Sequence, residues 1–133
     1  RKYPNFVING FNILGHGEDI NSRNIPKLVT NKQDDLIYIS RSLIPSQKEV
    51  KSHRNIDYKK QVCIYGFTKK ELISFYEYGG KSYLEEIEDI EILRFLELNI
   101  KVKMFECHKG SIAVDIPSDV EKVEKILKHK KQI

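Results

Sequence analysis

The chain has no tryptophan, one methionine, four prolines and only two cysteines among its 133 residues. Cys63 and Cys107 stand far apart, with no CxxC pair and no Cys/His spacing of the kind a metal needs. That excludes a disulfide framework and a zinc site, and reduced thiols in a cytoplasmic protein are the expectation. No apolar run approaches the roughly 20 residues of a membrane span, and no signal-peptide pattern opens the chain. The four histidines (16, 53, 108 and 129) show no triad or metal spacing. Cys107 and His108 are adjacent, but alternating faces separate their side chains. No nucleophilic catalysis is expected. Internal repeats and low-complexity segments are also missing.

Charge of one sign is only mildly in excess. The net charge is +4, and lysine far outnumbers arginine. One basic tract is C-terminal (Lys122, Lys125, Lys128, Lys130 and Lys131), which suits a solvated helix end complementing the helix dipole. The other is a central loop (Lys48, Lys51, His53, Arg54, Lys59 and Lys60). A mild positive charge fits a phosphate-bearing ligand without being the footprint of a nucleic-acid protein. No aromatics interleave these lysines, so the stacking platform of a single-strand binder is lacking.

What is present reads as a single α/β domain over residues 1–133. Asn5–Gly10 reads as a strand closed by an Asn-Gly turn, and Asn12–Asn24 as a loop. Lys27–Thr30 and Leu36–Ser40 form a hairpin pattern joined by five polar residues. Ser46–Tyr58 is polar, basic and aperiodic, hence a loop. Gln61–Phe67 is a continuous apolar strand. Thr68 with Glu71, and Ser82 with Glu85, are capping boxes. The first opens a helix stopped by Gly79-Gly80. The second opens a helix to about Leu98, with Asn99 as its cap. Lys101–Glu106 is a strand, Ser111–Val114 a short extended piece, and Ser118–His129 the last helix. The start at Arg1, with Phe6–Gly10 already in mid-fold, suggests a piece of a longer protein.

Ser82–Leu96 alternates apolar and acidic residues at helical spacing. Glu91 and Arg94 are three apart and share a face, whereas Glu86, Glu88 and Asp89 read as solvated. Asp115 ends a strand just before a helix, where open α/β sheets bind ligands. A lone carboxylate there suits Mg²⁺, which takes one or two protein carboxylates plus phosphate oxygens. Capping of the last helix is the alternative. Arg41, at a strand end with Lys48 beyond it, offers a bidentate fork for a carboxylate or phosphate. Gln61, Cys63, Tyr65 and Phe67 share one face of their strand. Gln61 and Tyr65 are therefore candidate ligand contacts, or simply packed residues at a sheet edge.

Five segments, in order, resemble the C-terminal half of the cytidylyltransferases that activate 3-deoxy-manno-octulosonate (Kdo) or a related acidic sugar. They are Asn24–Lys27 (NIPK), Leu36–Pro45 (LIYISRSLIP), Gln61–Phe67 (QVCIYGF), Ser82–Arg94 and Ala113–Asp119 (AVDIPSD). The resemblance implies a Rossmann-like nucleotidyltransferase fold, with a mixed sheet, flanking helices and a β-hairpin dimerisation element across Asn24–Pro45. It implies transfer of CMP from CTP to an acidic sugar with Mg²⁺, releasing pyrophosphate, in a homodimer. By resemblance, Asp115 is a Mg²⁺ ligand, Tyr65 and Glu91 contact the sugar, Lys48 lies near its carboxylate and Arg41 shapes the site. Gln61 stands where the family has histidine, Ile92 where it has glutamine and Tyr83 where it has proline. The first two fall on sugar-contacting positions, which leaves the acceptor open between Kdo and another acidic sugar. The family's Gly-rich nucleotide loop is not among these residues, so the CTP-binding part is expected elsewhere and this chain alone to be inactive. Two other functions fit the composition. One is a basic α/β module binding an anionic polymer through Lys48–Lys60 and the C-terminal lysines, with steep salt dependence. The other is a non-catalytic, synthetase-like scaffold.

Overall fold

A computed structural model describes residues 2–15, 17–48, 56–107, 114 and 117–130. Five strands form one mixed sheet: β1 (Val7–Ile13), β2 (Lys27–Thr30), β3 (Leu36–Ser40), β4 (Lys59–Gly66) and β5 (Val102–Glu106), in the order β3-β2-β4-β1-β5. Only β1 and β5 run parallel; the other pairs are antiparallel. Between β4 and β5 lie three short helices, α1 (Lys69–Glu77), α2 (Tyr83–Glu88) and α3 (Ile92–Glu97), and α4 (Pro117–Lys130) ends the description. The α/β class, the mixed sheet and both hairpin strands match the sequence expectation. Ser111–Ala113 and Asp115 lie outside the described residues. Among the described residues, no helix is long and apolar enough to cross a membrane.

The core is built where alternating strand residues meet the apolar face of α3. Val7, Phe11, Leu28, Leu36, Ile39, Val102 and Met104 pack against Ile90, Ile92, Leu93 and Phe95. Ile92 is thus a core residue. Burial on this scale contributes roughly 1.5–3 kcal/mol per large aliphatic side chain.

Three expectations are corrected. The first concerns Asn9-Gly10, which lies inside β1 instead of ending it. A Cβ on Gly10 would meet the Cys107 Sγ at 2.7 Å and Val62 at 3.3 Å, so glycine here permits close approach and not a turn. Gly10→Ala is expected to cost about 1–2 kcal/mol through overpacking. Chemical denaturation will measure it, and adding Cys107→Ala should recover part of the loss.

The second is the helix expected from Ser82 to Leu98, which is two helices. Asp89 adopts φ 51°, in the left-handed region, and ends α2; α3 restarts after Glu91. The break turns α3 relative to α2. Arg94 therefore pairs with Glu85, on the preceding helix, and not with Glu91: its Nε and Nη2 donate to the two Glu85 carboxylate oxygens at 2.6 and 2.7 Å. The third is Glu88, which is engaged and half-buried, as described below.

The sheet curls until its edges meet. The Met104 N–H donates to the Asp34 carbonyl at 2.8 Å, and Asp35 forms a bridge with Lys103. The Lys103 ammonium pairs with the Asp35 carboxylate and donates to the Gln33 carbonyl. The hydrogen bond from Lys103 to the Asp35 carboxylate holds that carboxyl below its ordinary pKa, against a smaller opposing effect of burial. A carboxyl depressed on folding contributes stability that is full above the unfolded value of 3.8 and is lost as pH falls through the folded value. Acid titration of Asp35→Asn should therefore show a shallower loss of stability below about pH 4 than the parent chain.

Candidate acceptor site

The candidate residues assemble around β4 and the α2–α3 turn. β4 carries two more residues than its partner where they pair: Asn9 faces Tyr65, but Gly10 faces Val62. Cys63 and Ile64 are extruded, and both are exposed. Because the insertion is even, Gln61 and Tyr65 stay on the same side of the sheet. The Gln61 Nε2 donates to the Tyr65 hydroxyl at 3.2 Å.

The bulge is held open by Asn9, which is 0% exposed. Its Nδ2 donates to the carbonyls of Val62 (3.1 Å) and Ile64 (3.0 Å). Its Oδ1 accepts from the Gln61 Nε2 at 3.1 Å. Tyr65 packs with Phe67 in a row of rings that continues through Phe95 to Phe75. Burial raises the Tyr65 hydroxyl pKa well above its ordinary value, and the Cys63 thiol and Glu91 carboxylate raise it further. Tyr65 therefore keeps its proton at physiological pH and is available as a donor. Glu91 is exposed at the start of α3, and its charge is felt at the Tyr65 hydroxyl.

The turn that presents Glu91 is clamped from the end of β3. The Arg41 Nε donates to the Glu88 carbonyl at 2.5 Å, Nη2 to the Asp89 carbonyl at 2.9 Å and Nη1 to the Arg23 carbonyl at 2.9 Å. In return the Glu88 carboxylate accepts from the Ser40 hydroxyl at 2.6 Å and the Arg41 backbone N–H at 2.9 Å. Beneath lies Lys27, 0% exposed, whose ammonium donates to the Ser22 and Arg41 carbonyls at 2.8 and 2.7 Å. Burial lowers the Lys27 pKa, opposed by the charges of Asp19 and Glu88.

The structure thus brings Gln61 and Tyr65 together, with Glu91 exposed at the start of α3. It places Arg41 on backbone carbonyls behind them. Lys48 is exposed next to residues 49–55, which lie outside the description, as does Asp115. Sequence reasoning missed Asn9, Ser40, Glu88 and Lys27. Only Asn9-Gly10 carried a signal, because glycine inside a strand pattern also marks a bulge or close approach. Among the described residues, no group of three or more His, Cys, Asp or Glu side chains is placed to hold a metal ion. Asp115, the carboxylate that the resemblance assigns to Mg²⁺, lies outside the described residues. Chemically, the cluster offers a tyrosine donor, an amide and a carboxylate, suited to the hydroxyls of a polar ligand.

No family model matches the chain. Curated relatives do. The chain is 38% identical over 114 residues to the 3-deoxy-manno-octulosonate cytidylyltransferase of Christiangramia forsetii, a match spanning 86% of this chain and 45% of the relative. The enzyme of the same name from Fusobacterium nucleatum is 38% identical over 111 residues, covering 84% of this chain and 44% of the relative. That of Thermodesulfovibrio yellowstonii is 40% identical over 114 residues, with 83% and 44% covered. The chain therefore spans a little under half the length of these relatives. Among solved structures, a CMP:2-keto-3-deoxy-manno-octonic acid synthetase complexed with CTP superposes with a TM-score of 0.76 at 27% identity. That match covers 93% of this chain and 49% of the other.

Proposed function

We propose that the chain, which matches 3-deoxy-manno-octulosonate cytidylyltransferases over a little under half of their length, forms the acceptor-binding half of a CTP-dependent CMP-sugar synthetase. In the proposed reaction a hydroxyl of Kdo, or of a closely related acidic sugar, attacks the α-phosphorus of CTP. A new O–P bond forms, the bond to the β-phosphate breaks, and pyrophosphate leaves. Such chemistry depends on positioning the two substrates.

The observation that supports an acceptor site is the Gln61–Tyr65 hydrogen bond at the β4 bulge, where the Glu91 charge is also felt by Tyr65. Tyr65 donates to a sugar oxygen, and Gln61 and Glu91 hold hydroxyls. Lys48 is assigned to the sugar carboxylate and Asp115 to Mg²⁺ by resemblance alone. A homodimer through β2 and β3 belongs to the same reading, and Ile37, 59% exposed on β3, is compatible with it. A CTP-consuming reaction of this kind is assigned to the cytoplasm.

Pyrophosphate release by the intact gene product tests the proposal. CTP with Kdo should release pyrophosphate, and CTP without an acceptor should not. Tyr65→Phe and Gln61→Ala should each raise the KM for Kdo about tenfold, with the KM for CTP changed less than twofold. Unchanged Kdo affinity in both variants would remove the acceptor site from this face. Asp115→Ala should abolish release, and retained turnover would end its assignment.

A further inference from the structure

We propose that Asn9 is a positioning residue for acceptor recognition: from beneath the β4 bulge it fixes which end of the Gln61 amide faces the acceptor. This rests on the acceptor-site reading above. Asn9 is wholly buried, and each polar atom of its side chain is engaged. Its amide nitrogen has two protons, and both are committed to the Val62 and Ile64 carbonyls on either side of Cys63. Only the oxygen is left to face Gln61.

An oxygen there accepts only from a donor, so Gln61 must turn its NH₂ inward. The same nitrogen reaches the Tyr65 hydroxyl oxygen at 3.2 Å. Two consequences follow. The Gln61 carbonyl oxygen is directed away from Asn9 and becomes the acceptor the site offers to a ligand hydroxyl. The Tyr65 oxygen, already receiving an N–H, must turn its own proton away from Gln61, toward the Cys63 side chain or a ligand oxygen. One buried amide therefore sets the pattern of one acceptor and one donor presented to the sugar. A flipped Gln61 would oppose two oxygens across the Asn9 contact and reverse that pattern.

Asn9 contacts no ligand directly in this arrangement, so its effect must pass through Gln61. That separates it from a purely structural asparagine. In the intact gene product, Asn9→Ala is expected to raise the KM for Kdo roughly five- to tenfold, with the KM for CTP changed less than twofold. The double variant Asn9→Ala/Gln61→Ala should be no worse toward Kdo than Gln61→Ala alone. Should Asn9→Ala fail to fold, Asn9→Ser carries the same test, because its hydroxyl still reaches one strand carbonyl but not Gln61.

Losses that multiply in the double variant, or that fall equally on Kdo and CTP, would overturn the proposal. An unchanged Kdo KM in the Asn9 variants would do the same. Gln61→Ala and Tyr65→Phe, run alongside, tell the two failures apart. If they too leave the Kdo KM unchanged, the acceptor-site reading has failed. If they raise it and the Asn9 variants do not, only the positioning role has failed.

Discussion

Replacing Arg94 by alanine is expected to cost about 3–5 kcal/mol of stability. The reason is the state in which it leaves Glu85. That carboxylate is 2% exposed and receives two N–H donors from Arg94 and one from the Ser82 backbone. Without the guanidinium, a buried anion keeps a single amide donor. The same variant frees the Phe75 carbonyl, to which the Arg94 Nη1 donates at 3.0 Å, and removes the cation stacked 3.6 Å from the Phe75 ring centroid. Arg94→Lys should recover little, because an ammonium cannot match the carboxylate as a fork or stack on the ring. Thermal melts should fall by roughly 10–20 °C for a domain of this size. A loss below 1 kcal/mol would mean that water or a rearranged partner compensates Glu85. Removing both charges in Glu85→Gln/Arg94→Met should cost less than Arg94→Ala alone, since it is the unpaired ion that is expensive.

Arg41→Ala is expected to be the most damaging change behind the proposed acceptor site. It removes donors to three backbone carbonyls and should cost about 2 kcal/mol, moderated by the side chain's partial exposure. Its larger effect should be on recognition. The Glu88–Asp89 turn loses its tether, and with it the start of α3 that presents Glu91, two residues on. An increase of roughly tenfold in the Kdo KM is expected, with a smaller effect on CTP. Arg41→Lys should behave nearly as badly, because one ammonium cannot span carbonyls on two separate segments. Calorimetry of folding together with steady-state kinetics separates the two effects.

The elements legible in the sequence are those set by neighbours in the chain. Two β-rich runs, Lys27–Thr30 and Leu36–Ser40, joined by a polar loop, placed both hairpin strands. The Thr68/Glu71 and Ser82/Glu85 pairs placed two helix starts within a turn of their own residues. Gly79 at φ 78° and Asn99 at φ 56° ended helices as their types suggest. What was not legible depends on partners far along the chain. The break at Asp89 is held by Arg41, 48 residues earlier, and no local period announces it. Spacing suggested Glu91 as the partner of Arg94; the break brought Glu85 instead. Gln61 and Tyr65 could be placed on one face by parity. Asn9, which holds their strand open from 52 residues before Gln61, could not. Lys27, which sequence reading placed only in a strand, is a buried strut.

The clasp between the hairpin turn and β5 also bears on how copies of this chain can meet. An open strand edge invites a foreign strand to complete its ladder. Here the Met104 N–H on the β5 edge is already taken by Asp34, and Lys103 is locked to Asp35 and Gln33. An incoming strand would have to unfasten the hairpin before it could pair. Self-association by strand addition at Lys103 and Met104 of β5 is therefore blocked by the chain's own turn. A variant with Asp35 and Lys103 both replaced by alanine reopens that edge, and its penalty should be seen less in melting than in a concentration-dependent drift toward fibrous aggregates.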